Sequence, residues 1–146
     1  MFADMLRRLT APDPAPLSEP DARVALAALM VRVARSDGNY APSEKARIDA
    51  VLARRYALEA EAVRELRARA EELEAEAPDT VRFTRAIKDA VDLEDRIAVI
   101  EALWAVVLAD GERDAEEDSL LRLLANLLGI GDRDSNLARQ RAESKT

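Results

Sequence analysis

The chain has 146 residues with no cysteine and no histidine, which excludes disulfides, thiolate chemistry and imidazole as base or metal ligand. A domain of this length buries about 68–70% of its unfolded surface and needs no covalent staple; any metal would be held by oxygen alone, which means a hard cation such as Ca²⁺ or Mg²⁺. The formal net charge of -7 repels phosphate backbones and aromatics make up only 3%, so the reading is no nucleic-acid partner.

Phe2, Met5, Leu6 and Leu9 recur at helical spacing and predict a short amphipathic arm. Pro12, Pro14, Pro16 and Pro20 follow, which favours an extended connector over residues 11–20. The arm either packs on the body or acts as a docking helix; with two arginines and one short apolar face, its contact with a membrane surface would be weak and peripheral. No transmembrane segment is expected, because the longest apolar run, residues 102–109, falls far short of the roughly 20 residues a span needs. Asp4, Arg7 and Arg8 interrupt any apolar leader, so a cytoplasmic location is expected.

Asp21 is expected to cap a helix running to about Ser36, apolar on nearly all sides between Val24 and Ala34 except at Arg32, and so central and buried. After the turn SDGNY, Pro42 suits the first turn of a second helix that carries Ile48, Val51 and Leu52 and ends near Tyr56. Residues 59–77 predict a long charged helix with one narrow stripe, Val63, Leu66, Ala70, Leu73 and Ala77; Glu65 with Arg69, and Arg67 with Glu71, are spaced to pair. Pro78 stops it, and Asp79 or Thr80 caps a short helix bearing Phe83, Ile87 and Val91. Asp92 opens another, with Leu93, Ile97, Ile100, Trp104 and Val107 as its main stripe and Trp104 between two hairpins of the core. A leucine-rich helix ends at Gly129 and Gly131, and a last short helix is expected after Asp134 or Ser135. The chain thus divides into an arm and connector (1–20), a helical domain (21–141) and a polar tail (142–146).

Two stretches repeat, ALMVRVARSDGNYAPSEKARIDAVL and EALWAVVLADGERDAEEDSLLRLLA. Aligned on their Asp-Gly pairs, Asp37 falls on Asp110, Glu44 on Glu117, Ile48 on Leu121 and Val51 on Leu124. Each unit is a buried helix, an Asp-Gly turn, an acid seven residues after the Asp, and an amphipathic helix, an αα-hairpin used twice. The fold class is therefore all-α, a single compact domain of about seven helices built on two pseudo-symmetric hairpins.

The acids of the turns have two readings. In one they are caps, with Asp114 as an N-cap, Glu117 at the third helical position and Glu44 in the equivalent place. In the other they hold a cation, because Asp37 and Asp110 stand at the C-terminal ends of helices, where the macrodipole disfavours an anion by about 0.3–1 kcal/mol. The spacing is not that of an EF-hand, since the twelfth position is Ile48 counted from Asp37 and Leu121 counted from Asp110, and neither side chain can ligate.

The paired segments VARSDGNYAPSEKARIDAVL and VVLADGERDAEEDSLLRLLANLLGI resemble the tellurite-resistance TerB-like family, and APDTVRFTRAIKDAV and RDSNLARQ are similar to its short stand-alone proteobacterial members. The resemblance implies an all-helical fold of two pseudo-symmetric hairpins, kinship with a domain of a membrane-anchored DnaJ-like co-chaperone, and a link to tellurite and other stress responses. It also implies metal-binding acids, which fall here on Asp37, Glu44, Asp110 and Glu117. Asn39 and Ser43 depart from the richer acidity of Glu112, Asp114 and Glu116, so the second turn is the stronger candidate.

The function expected is a non-catalytic, stress-associated binding module taking Ca²⁺ or Mg²⁺ at Asp37, Glu44, Asp110, Glu112, Asp114 and Glu117. The alternative is an adaptor that binds an unidentified protein partner, with the acids as caps only. A carboxylate-based hydrolase is disfavoured, because no Gly-rich phosphate loop exists and nothing in the sequence indicates a pocket. Deleting residues 1–16 is expected to leave the helical domain folded, with circular dichroism showing the same cooperative melt; a collapsed melt would make the arm part of the core.

Overall fold

The computed structural model describes residues 19–35, 40–77, 79–108 and 115–144, together with Arg7. Seven helices account for nearly all of these: α1 (Glu19–Arg35), α2 (Pro42–Tyr56), α3 (Ala60–Glu76), α4 (Thr80–Ala90), α5 (Leu93–Leu108), α6 (Ala115–Leu127) and α7 (Asp132–Ser144). No strand occurs among the described residues, so the chain is all-α. No described helix is long and apolar enough to cross a membrane. The expected arm, residues 2–9, lies outside the described residues apart from the exposed Arg7.

Every residue from Val24 to Val31 is buried, as a helix apolar on all sides requires. α1 begins at Glu19, before the expected Asp21 cap, and Pro20 lies inside its first turn. A proline is tolerated there because first-turn amides have no intrahelical acceptor and the ring presets a helical φ. α2 starts at Pro42 and buries Ile48 and Leu52. The repeat is visible in this packing: Ile48 and its counterpart Leu121 are both fully buried, as are Leu52 and Ala125.

Each repeat extends to a third helix. α3 packs most intimately on α1, and α7 equally so on α5. Small buried residues occur in both pairs, Ala25, Ala28 and Ala70 in the first, Ala102, Ala138 and Ala142 in the second, and they let the helix axes approach closely. α4 joins the two halves. Its N-cap is Asp79, whose carboxylate accepts from the Arg82 amide at 3.0 Å. Its Phe83, Ile87 and following Val91 are buried. Arg96 of α5 then donates to the Val91 carbonyl at 2.9 Å and to the Leu128 carbonyl, closing the ends of α4 and α6 together.

The end of α6 follows from Gly129, whose φ of +77° suits the left-handed position. The Ile130 amide donates to the Ala125 carbonyl and the Gly129 amide to that of Asn126, and Ile130 is buried. A Cβ at Gly129 would also stand 2.8 Å from Lys88 Cε. α2 ends on the same geometry without glycine, at Ala57 with φ 52°. α7 begins at Asp132, ahead of the expected Asp134, and continues to Ser144 with Ala142 buried.

Leu93 does not belong to the core stripe of α5: it is 45% exposed, and of the described stripe residues Ile100 and Trp104 are the fully buried ones. Leu93 is the first residue of the helix, and helical side chains lean toward the N-terminus, so it projects past the packed layer. Trp104 is buried, as expected, with 1% of its surface exposed. α7 covers its ring, the Arg139 guanidinium carbon lying 6.0 Å from the ring centre. The indole N–H is buried with no acceptor among the described residues. Trp104→Ala is expected to cost about 3–5 kcal/mol in urea melts. Trp104→Phe is expected to cost far less, because it keeps most of the apolar volume and removes a buried donor that has no partner. A loss below about 1 kcal/mol for the alanine variant would place the indole outside the core.

Candidate functional site

The two Asp-Gly turns follow the buried helices α1 and α5, and the ends of these helices differ in charge. α1 carries Arg32 and Arg35 in its last turn, whereas α5 has no basic residue there. The positions matching Arg32 and Arg35 in the repeat are Ala105 and Leu108.

The arginines of α1 anchor an alternating chain of charges. Arg35 Nη1 donates to Glu74 Oε2 at 2.6 Å, and its Nη2 lies 3.8 Å from Glu71 Oε2. Arg32 Nε donates to Glu74 Oε1 at 3.3 Å, and its Nη2 donates to the Glu74 carbonyl at 3.2 Å, at the C-terminal end of α3. Arg67 bridges Glu71 at 2.8 Å and Asp49 at 2.7 Å, tying α3 to α2. The rings are used as well: Arg32 lies over Phe83, while Arg35 and Lys45 both lie over Tyr40. The charged helix α3 therefore carries a structural edge. Of the two pairs expected on it, Arg67–Glu71 forms; none joins Glu65 to Arg69 among the described residues.

The candidate acids stand as follows. Glu44 lies at the third position of α2, behind Pro42 and the extended Ala41, half-buried with Oε2 sealed from solvent. Since α6 begins at Ala115, Glu117 occupies the same third position; its side chain lies outside the described residues. Asp37, Asp110, Glu112 and Asp114 also lie outside the described residues. Among the described residues, no three acids gather in a way that could hold a metal ion. The turns differ sharply in composition. Residues 37–45 hold two acids and one base, and residues 110–118 hold six acids and one base.

The structure also contains what the sequence reading did not anticipate, a trough of about 480 Å³ between α2 and α5 that reaches Ala142 of α7. A second cavity of about 620 Å³ lies where Arg23 and Tyr56 meet Asp95. Arg23 and Arg55 both lie over the Tyr56 ring, at 4.7 and 5.6 Å.

A family model described as "Tellurite resistance protein TerB" matches residues 23–140 of the chain. Neither a curated protein nor a solved structure matches it.

Burial pushes both tyrosines above their ordinary pKa of 10.0; Glu71 adds to the effect at Tyr40, and the arginines nearby oppose it at both. In the folded chain each phenol keeps its proton where the unfolded chain has released it. The stability this contributes is present in full below about pH 10 and is lost as pH rises through the raised values. Because the chain has only two tyrosines, phenolate absorbance reports on these sites alone. Its midpoint is expected above that of the urea-unfolded chain; coincident midpoints would show that neither ring is sequestered.

Proposed function

We propose that this chain, which belongs to the tellurite-resistance TerB family, is a non-catalytic, stress-associated binding module that takes a hard divalent cation at its second acidic turn. The observation that carries this reading is the unequal charge at the two equivalent helix ends. Arg32 and Arg35 place two positive charges in the last turn of α1, where they hold Glu71 and Glu74. The end of α5 brings no such charge, and six acids follow it between residues 110 and 118. An anion at a helix C-terminus is disfavoured, and neighbouring carboxylates repel one another. The donors are carboxylates without thiolate or imidazole, which fits Ca²⁺ or Mg²⁺. Asp110, Glu112, Asp114 and Glu117 would hold the ion, and what it supplies is charge compensation. In the first unit Asp37 and Glu44 would serve less well, because arginine already meets the need.

The adaptor reading rests on a different observation. Glu44 and Glu117 share the third helical position, where a carboxylate favours the helix N-terminus with no ligand at all.

Calorimetric titration with Ca²⁺ and Mg²⁺ separates the two. With few ligands in an open turn, the dissociation constant is expected on the order of 10⁻⁴–10⁻³ M. At 100 times that concentration the fold should gain about 2.7 kcal/mol. Asp110→Asn is expected to abolish the gain and leave the metal-free protein as stable or slightly more so. If millimolar Ca²⁺ and Mg²⁺ move neither the melting temperature nor the amide signals of residues 109–117, the acids are caps and the adaptor reading stands.

A further inference from the structure

The trough between α2 and α5 is walled by residues at helical spacing on both sides. On α2, Arg47, Val51 and Arg54 face it, joined by Arg55; on α5, Ala98, Ala102 and Ala105 do. Positions seven apart on each wall give a length of about 10 Å. The alanines leave the floor apolar, and the trough is about half open to solvent. The one acid lining it among the described residues, Glu101, is engaged by Arg141 at 3.1 Å. Arg54 and Arg55 are exposed, and no carboxylate pairs with either among the described residues. A chain with a net charge of -7 therefore presents a basic rim along an apolar floor.

From this charge and shape we infer that the trough docks an acidic amphipathic helix of a partner protein. The partner lays apolar residues spaced three and four apart on the alanine floor and sets its carboxylates against Arg54 and Arg55. Helix-in-groove recognition uses anchors over the same two turns that these walls span. The basic rim rejects basic helices and steers acidic ones in a salt-dependent way. A small amphiphilic anion would share the charge logic. It fits less well, because small-molecule sites enclose about 70–90% of their ligand and an open trough does not. None of the acids of the two turns lines the trough among the described residues, and the docking stands whether or not those acids bind a cation.

The test is selection of a displayed random library of peptides about 16 residues long, enough to sustain a helix, on the immobilised full chain. Recovered sequences are expected to be rich in Asp and Glu with Leu or Ile at helical spacing, and to bind less tightly as salt rises. Arg54→Glu combined with Arg55→Glu should weaken the recovered peptides by about tenfold or more. Ala105→Leu, which fills the trough without changing its charge, should also weaken them. Arg64→Glu with Arg85→Glu makes the same change in net charge outside the trough and should leave binding intact; melts of all variants verify folding. An empty selection overturns the inference. So do sequences with no acidic bias, and so does binding that survives both trough variants. Dodecanoate titrated in parallel identifies the rival: if it binds, is lost in the trough variants and no peptide is recovered, the site belongs to small amphiphiles.

Discussion

The structure depends on the burial of two helices that are apolar on nearly all sides through their middle turns. α1 is buried from Val24 to Val31, and α5 buries Val99, Ile100, Ala102, Leu103 and Trp104 in near succession. A helix of this kind is stable only when neighbours cover most of its surface. The sequence meets the requirement twice in the same way, with an amphipathic helix from the following hairpin arm and an outer helix that approaches closely. α4 and the Arg96 hydrogen bonds then close the two halves against each other.

Burying these helices creates an electrostatic problem at their ends. Each presents terminal carbonyls and a macrodipole's negative pole, and each is followed by an aspartate. The first repeat answers with Arg32 and Arg35, whose guanidinium groups also serve the end of α3 through the Glu74 carbonyl. Burial lowers the pKa of Arg67, but its hydrogen bond to Asp49 and the charges around it hold the guanidinium above its ordinary range, so the network stays charged at any physiological pH. Such half-buried, multiply bonded arginines fix geometry better than isolated surface pairs do.

Much of the fold was legible in the sequence because it rests on periodicity and punctuation. The apolar run at Val24, the proline at position 42, the Asp79 cap and Gly129 each act through the chain's local stereochemistry, and each stands where that chemistry puts it. What could not be read depends on tertiary partners. Glu74 is one charge among many on α3 until α1 brings two arginines to it. The trough exists only because alanines on α5 face α2 across the repeat, a juxtaposition with no signature in either helix alone. Ala57 in a left-handed turn had no signal either, since nothing but the following helix requires it.

A duplicated scaffold separates packing from function by comparison within one chain. Equivalent positions that agree, such as Ile48 with Leu121 or Leu52 with Ala125, are explained by the core they share. Equivalent positions that disagree while the helices around them keep the same order answer to something other than the core. Arg32 against Ala105, Arg35 against Leu108 and Asn39 against Glu112 are of this kind, and all three lie at or next to the same helix-to-turn junction. The substitution at position 105 has a second effect, because the alanine that leaves the end of α5 uncharged also forms part of the trough. An arginine there would place its long side chain against a trough already rimmed by Arg47, Arg54 and Arg55. Alanine at 105 thus leaves the last turn of α5 without a base and keeps the trough floor apolar, so both features rest on the same residue.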